Sequence, residues 1–190
     1  MKYVIVLMGV SSCGKTSIGL ALSKQTHRPF VDGDDLHPAE NIEKMRSGVP
    51  LNDDDRFPWL LKVASAANER DAEEGLTGII ACSCLKRIYR DFLRRQVQYP
   101  VVFVHLDGSF EKVRERMEAR SGHFMPVHLL RDQFSQLERP EASQAPWFSI
   151  QTWEDPSMII SCDQLSESEV VEQILSGTVE ITKMNGLHRR

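Results

Sequence analysis

The chain has no apolar run near the roughly 20 residues that a membrane-crossing helix needs, so no transmembrane helix is expected. It lacks an excess of positive charge: 23 Lys and Arg stand against 27 Asp and Glu, a net −4 at pH 7. That balance argues against a general nucleic-acid binder or a protein that docks on acidic membranes. Cysteine is scarce, and Cys13, Cys82, Cys84 and Cys162 show none of the spacings of a zinc site. Cys82 and Cys84, two apart, would share one face of a strand, and Cys82 and Cys162 fall in apolar runs. Buried free thiols are therefore expected rather than disulfides. The N-terminus shows no signal-peptide architecture, and no internal repeat is visible. A reducing, cytoplasmic compartment is the expectation.

What is present is a length of 190 residues, with 41% hydrophobic and 26% charged content. These values suit a single domain, residues 1–190, large enough to bury a sizeable core. One stretch dominates it. Gly9-Val10-Ser11-Ser12-Cys13-Gly14-Lys15-Thr16 fits the phosphate-binding loop pattern G-x-x-x-x-G-K-[ST]. The apolar, β-branched run Tyr3-Val4-Ile5-Val6-Leu7-Met8 before it reads as a buried strand. In Ser17-Ile18-Gly19-Leu20-Ala21-Leu22-Ser23 after it, Ile18, Ala21 and Leu22 recur at helical spacing. Strand, glycine loop and helix form the context the motif requires. Gly9 and Gly14 permit backbone angles that a side chain would block, so successive N–H groups can form an anion nest. The helix adds its positive end, Lys15 can reach the β- and γ-phosphates, and the Thr16 hydroxyl can ligate Mg²⁺.

Apolar runs and helical patterns then alternate. Strands are expected over residues 28–32, 77–82, 101–106 and 158–162. Helices are expected over residues 38–47, from Asn52 or Asp53 to about 75, over 86–96 and 109–120, around Leu129, Leu130 and Phe134, and from Ser166 through Ile174. Residues 138–157 read as a long surface loop, and the tail from Gly177 as a polar end that frays. The alternation implies βαβ units, hence an α/β fold with a five-stranded parallel sheet covered by helices on both faces. Ligands then belong beyond the C-terminal strand ends.

The polar segments fall there. Asp32 and Asp34 follow the second strand and lie on one side of an extended chain. A carboxylate beside a transferring phosphoryl group can hold Mg²⁺ or accept the proton of an attacking hydroxyl. The alternative is a solvated acidic turn. Asp53, Asp54 and Asp55 suit a helix start. Arg56 can bind a carboxylate bidentately or pair with its acidic neighbours. Lys86 and Arg90, four apart, share a helical face and can hold an anion together or lie as surface charge. Arg116, Arg120, Gly122 and His123 surround a loop where arginines on a flap can close over ATP; His123 can equally be a packed imidazole.

These residues carry a resemblance. Val6-Leu7-Met8-Gly9-Val10-Ser11 leading into Gly14-Lys15, Asp32-Gly33-Asp34 with Leu36-His37-Pro38, and Asn41-Ile42-Glu43-Lys44-Met45 with Gly48 resemble the P-loop gluconokinases, relatives of shikimate and adenylate kinases. So do Pro50 through Arg56 with Pro58-Trp59-Leu60, Leu85-Lys86 with Tyr89-Arg90-Asp91, and Gly122-His123-Phe124. The resemblance runs through residues 3–137 and resumes near Ile159. It implies a P-loop kinase fold with a substrate-binding helical region near residues 38–75, a mobile lid near residues 116–135, and often a homodimer. It implies ATP-dependent phosphorylation of D-gluconate to 6-phosphogluconate, feeding the pentose phosphate pathway, with ATP and Mg²⁺ as cofactors. Neither nucleic acid nor membrane is an implied partner.

On this reading Gly9, Val10, Ser11, Ser12, Cys13, Gly14, Lys15, Thr16, Arg116 and Arg120 bind ATP, and Thr16 and Asp32 hold the metal. Lys15, Asp34 and Arg120 are catalytic, and Asp34, His37, Arg56, Lys86, Arg90 and His123 meet the substrate. The adenine contact falls near Asp163-Gln164 by position. A kinase for another small hydroxy acid, or a nucleotide-binding regulator without catalysis, are the competing readings.

Overall fold

The computed structural model describes residues 2–69, 75–119, 128–140 and 157–187. The first strand, β1 (Lys2–Met8), is nearly all apolar, and Val4 through Met8 are at most 1% exposed. A loop leads to α1 (Lys15–Thr26). Then come β2 (Phe30–Asp32), a 3-10 turn (Gly33–Leu36), α2 (Ala39–Arg46), α3 (Asp53–Asn68), β3 (Gly75–Ala81), α4 (Arg87–Gln96) and β4 (Val101–Asp107). The described chain closes with α5 (Phe110–Ala119), α6 (His128–Gln136), β5 (Ser157–Ser161) and α7 (Glu167–Leu187).

The strands form one sheet in the order β2-β3-β1-β4-β5, and each pairing is parallel. Parallel strands are buried on both faces, and alternate side chains feed two cores. Ile5, Leu7, Val102 and Val104 join a cluster with residues of α1, α5, α6 and α7. Val4, Val6, Met8, Val101 and Phe103 join another with residues of α3 and α4. This is the expected α/β sheet covered on both faces.

Local chemistry explains the boundaries. Asn52 caps α3: its side chain accepts from Asp55 N at 2.9 Å, while the Asp55 carboxylate accepts from Asn52 N at 2.8 Å. This reciprocal pair satisfies two N–H groups that a helix start leaves open. Two expectations are corrected. Cys84 does not continue a strand; β3 ends at Ala81 and Cys84 turns the chain at φ 44. Its Sγ still lies 3.3 Å from Cys82 Sγ, and all four cysteines are buried and free. The end of the chain does not fray at Gly177 either, because α7 continues to Leu187. Gly177, within it, packs closely against Met158: a Cβ added there would lie 2.1 Å from Met158 Cε, the mobile end of that side chain. No described helix is long and apolar enough to cross a membrane.

Candidate active site

The site grows from the C-terminal end of β1, the central strand. Gly9 leaves that strand at φ 138, and an added Cβ would sit 2.8 Å from Leu106 O and 2.9 Å from Cys13 Sγ. Ser12 adopts φ 62, and its buried hydroxyl has no partner among the described residues. Gly14, at φ 109, opens α1 with no side-chain cap. A glycine-rich turn at positive φ that runs into a helix N-terminus has the backbone chemistry of an anion cradle. Lys15 is 8% exposed, and its Nζ donates to Gly9 O at 3.1 Å and Val10 O at 2.8 Å. Burial pushes the Cys13 thiol up, so it stands in the loop as a neutral packing group.

Thr16 and Asp32, the two residues expected to hold a metal, meet directly. Thr16 Oγ1 donates to Asp32 Oδ2 at 2.6 Å, and Asp32 Oδ1 accepts from Asp34 N at 3.1 Å. Asp32 therefore ties the start of α1 to the turn that carries Asp34. Hydroxyl and carboxylate oxygens are hard donors that suit Mg²⁺, which commonly takes one or two protein groups and completes its shell with phosphate and water. Among the described residues no group of three His, Cys, Asp or Glu could hold a metal unaided. The residues present fit a cation shared with a phosphate-bearing ligand.

A cavity of about 460 Å³ is lined by residues 11–18, by Asp34, and by Arg116, Cys162, Leu165, Glu167 and Val170. Arg116, on α5, donates from Nη2 to Cys162 O at 2.8 Å, so this bond ties α5 to the end of β5 at the cavity wall. The Asp163 carboxylate faces elsewhere. It accepts from Ser109 N at 3.0 and 3.1 Å and closes the start of α5.

The residues expected to meet a second substrate lie along the 3-10 turn, α3 and the start of α4. Trp59 Nε1 donates to Gly33 O at 2.7 Å, and its ring stacks on His37 at 4.1 Å. Burial, then the Arg56 and Lys62 charges, push His37 down to about 4, so its imidazole is neutral at pH 7. Arg56 is 7% exposed, donates from Nε to Leu51 O, and lies 5.6 Å over the Tyr89 ring. Lys86 Nζ reaches Asp53 Oδ1 at 2.8 Å, and Tyr89 donates to the same oxygen at 2.6 Å. The hydrogen bond from Lys86 holds the Asp53 carboxyl below its usual range. A second cleft, about 510 Å³, opens between Asn52, Asp53, Lys86 and Gln136.

Arg90 departs from expectation. It does not share an open face with Lys86; it is 2% exposed and donates from Nη1 to the carbonyls of Cys84, Leu85 and Glu138. The four-residue spacing holds, but the face it marks turns toward the core at Arg90, where the guanidinium braces the β3–α4 turn. Arg120 and His123 lie outside the described residues. Two further residues escaped the sequence reading. Gln133 Oε1 accepts from Ser11 N at 2.7 Å across 122 positions, and Glu138 Oε2 accepts from Arg87 N at the start of α4. No local pattern marks either one.

A family model described as "Shikimate kinase" matches residues 11–178. The thermosensitive gluconokinase of Escherichia coli (strain K12) is 50% identical over 139 residues, 73% of each chain. The thermoresistant gluconokinase of the same organism is 38% identical over 181 residues, 95% of this chain and 94% of the other. A crystal structure of a gluconokinase from Sinorhizobium meliloti 1021 superposes with a TM-score of 0.79 at 37% identity, covering 98% of this chain and 97% of that one. With a strand–glycine loop–helix at the sheet centre, an acid-bearing strand in the same sheet and matches of this extent, the chain belongs to the shikimate kinase family, among its gluconokinases.

Proposed function

We propose that the chain transfers the γ-phosphoryl group of ATP to the terminal hydroxyl of D-gluconate, giving 6-phospho-D-gluconate and ADP for the pentose phosphate pathway in the cytoplasm. The observation that carries this reading is that Asp34 and the Gly9–Thr16 loop face one cavity, joined through Asp32. The loop N–H groups and Lys15 hold the phosphates, and Thr16 and Asp32 hold Mg²⁺, which supplies charge neutralisation when bound. The gluconate hydroxyl oxygen attacks the γ-phosphorus as the bond to the ADP oxygen breaks. Asp34 orients that hydroxyl and takes its proton. Positioning and charge neutralisation supply most of the acceleration. Arg116 and Arg120 meet the phosphates, and His123 joins Arg120 on the lid.

Arg56 and Lys86 supply positive charge for the gluconate carboxylate, and neutral His37 offers a ring nitrogen to a hydroxyl. Arg90 serves that side indirectly, by fixing the turn that carries Lys86. The test is an ADP-release assay with Mg²⁺ and ATP across gluconate, shikimate, gluconolactone and nucleoside monophosphates. Gluconate is expected to turn over fastest. Good turnover with another acceptor, and none with gluconate, rejects the reading.

A further inference from the structure

We propose that Glu138 is a positioning residue for the acceptor: its carboxylate caps α4 from a distant part of the chain and so fixes the backbone that presents Lys86. This rests on the reading of Lys86 as a gluconate contact. α4 begins without a cap of its own. Lys86 stands at its N-cap position with no side-chain cap bond, and no acidic residue falls in the first turn. A helix start leaves four N–H groups without a partner inside the helix. A carboxylate placed there accepts from one of them and meets the positive end of the helix. Glu138 supplies that carboxylate from 51 positions away, where its Oε2 accepts from Arg87 N.

The same residue holds the turn through its main chain. Glu138 N donates to Leu85 O at 2.9 Å, and Glu138 O accepts from Arg90 Nη1 at 3.0 Å. Lys86 thus lies between two residues, Leu85 and Arg87, whose main chains both bond to Glu138. Its Nζ is set on Asp53 Oδ1 at 2.8 Å, and both residues line the second cleft. Gln136, the last residue of α6, lines that cleft too, and Glu138 follows it by two residues. The main-chain bonds survive a change of side chain, so variants at Glu138 read the carboxylate alone. Replacing an N-terminal cap by alanine shifts an equilibrium by about two- to thirtyfold. Glu138 is exposed, which puts its effect at the lower end of that range.

The test is steady-state kinetics of the full chain with gluconate and Mg²⁺-ATP each varied, and thermal melts to verify folding. Glu138→Ala is expected to raise KM for gluconate about fivefold, with kcat and KM for ATP within about twofold of the parent. Glu138→Gln keeps an oxygen acceptor without the charge and is expected to raise KM for gluconate only about twofold; it carries the test if the alanine variant does not fold. Lys86→Ala is expected to raise KM for gluconate by itself. Adding Glu138→Ala to it is expected to change KM by less than about twofold, because Glu138 acts through Lys86. A cap that only stabilises the fold makes the two effects multiply. The inference is overturned by a gluconate KM that neither Glu138 variant changes, by equal rises for gluconate and ATP, by multiplying effects in the double variant, or by a Lys86→Ala variant with the parent's KM. A parent that does not phosphorylate gluconate overturns the reading of the site, and this inference with it.

Discussion

Replacing Gly9 with alanine separates two costs that the nucleotide loop imposes on its glycines. At φ 138 any L side chain is strained, at about 1–3 kcal/mol. The new Cβ would also press on Leu106 O, a backbone atom of β4, at 2.8 Å, and on Cys13 Sγ at 2.9 Å. The carbonyl belongs to a paired strand and cannot swing aside, so overpacking adds about 1–3 kcal/mol more. Together, about 2–6 kcal/mol comes off a total stability of about 5–15 kcal/mol. For a chain of this length each kcal/mol shifts the melting temperature by about 2–4 °C, so Gly9→Ala is expected to melt about 5–20 °C lower. Gly14 is the control. Its φ is 109, but an added Cβ would find nothing within 4 Å, so only the strain of about 1–3 kcal/mol applies. Differential scanning calorimetry of both variants reads the contrast. The reasoning is refuted if Gly9→Ala melts within about 2 °C of the parent, or if Gly14→Ala is the more damaging of the two.

Burial pushes His37 and His105 down to about 4, against an ordinary value near 6.5. The unfolded chain then binds protons that the folded chain refuses. Stability is therefore full above pH 6.5 and falls as pH drops toward 4, by up to about 1.4 kcal/mol per pH unit for each imidazole. His37 faces the Arg56 and Lys62 charges, and His105 faces Asp107, Arg139 and Arg90; urea melts of His105→Asn across this window are expected to show a shallower slope. Trp59→Phe keeps the ring but removes the donor to Gly33 O, leaving a buried carbonyl unsatisfied at a cost of about 1–3 kcal/mol. With Gly33 and His37 on the proposed acceptor side, it is expected to raise KM for gluconate more than for ATP; equal changes in the two KM values contradict that placement.

The parts of the fold written locally were legible in the sequence. The Gly9–Thr16 loop, β1 and β4 announce themselves by composition over fewer than ten residues, and Asn52 with Asp55 marks the start of α3. Features set by packing were not. The tail from Gly177 read as a polar end, yet α7 continues through it to Leu187, and Gly177 packs against Met158. Lys86 and Arg90 have the spacing of a shared face, but spacing does not say which part of that face the sheet covers. Asp34 was legible because it follows a strand end within three residues of Asp32. Gln133 was not, because a contact spanning 122 positions leaves no local trace.

The account stands on Asp34 acting on the acceptor hydroxyl beside the phosphates. The most direct test is single-turnover phosphorylation of gluconate by Asp34→Asn, with Mg²⁺-ATP affinity measured on the same preparation. The chemical step is expected to slow by about 100-fold or more, with ATP affinity within about threefold of the parent. Turnover within a few-fold of the parent contradicts the account.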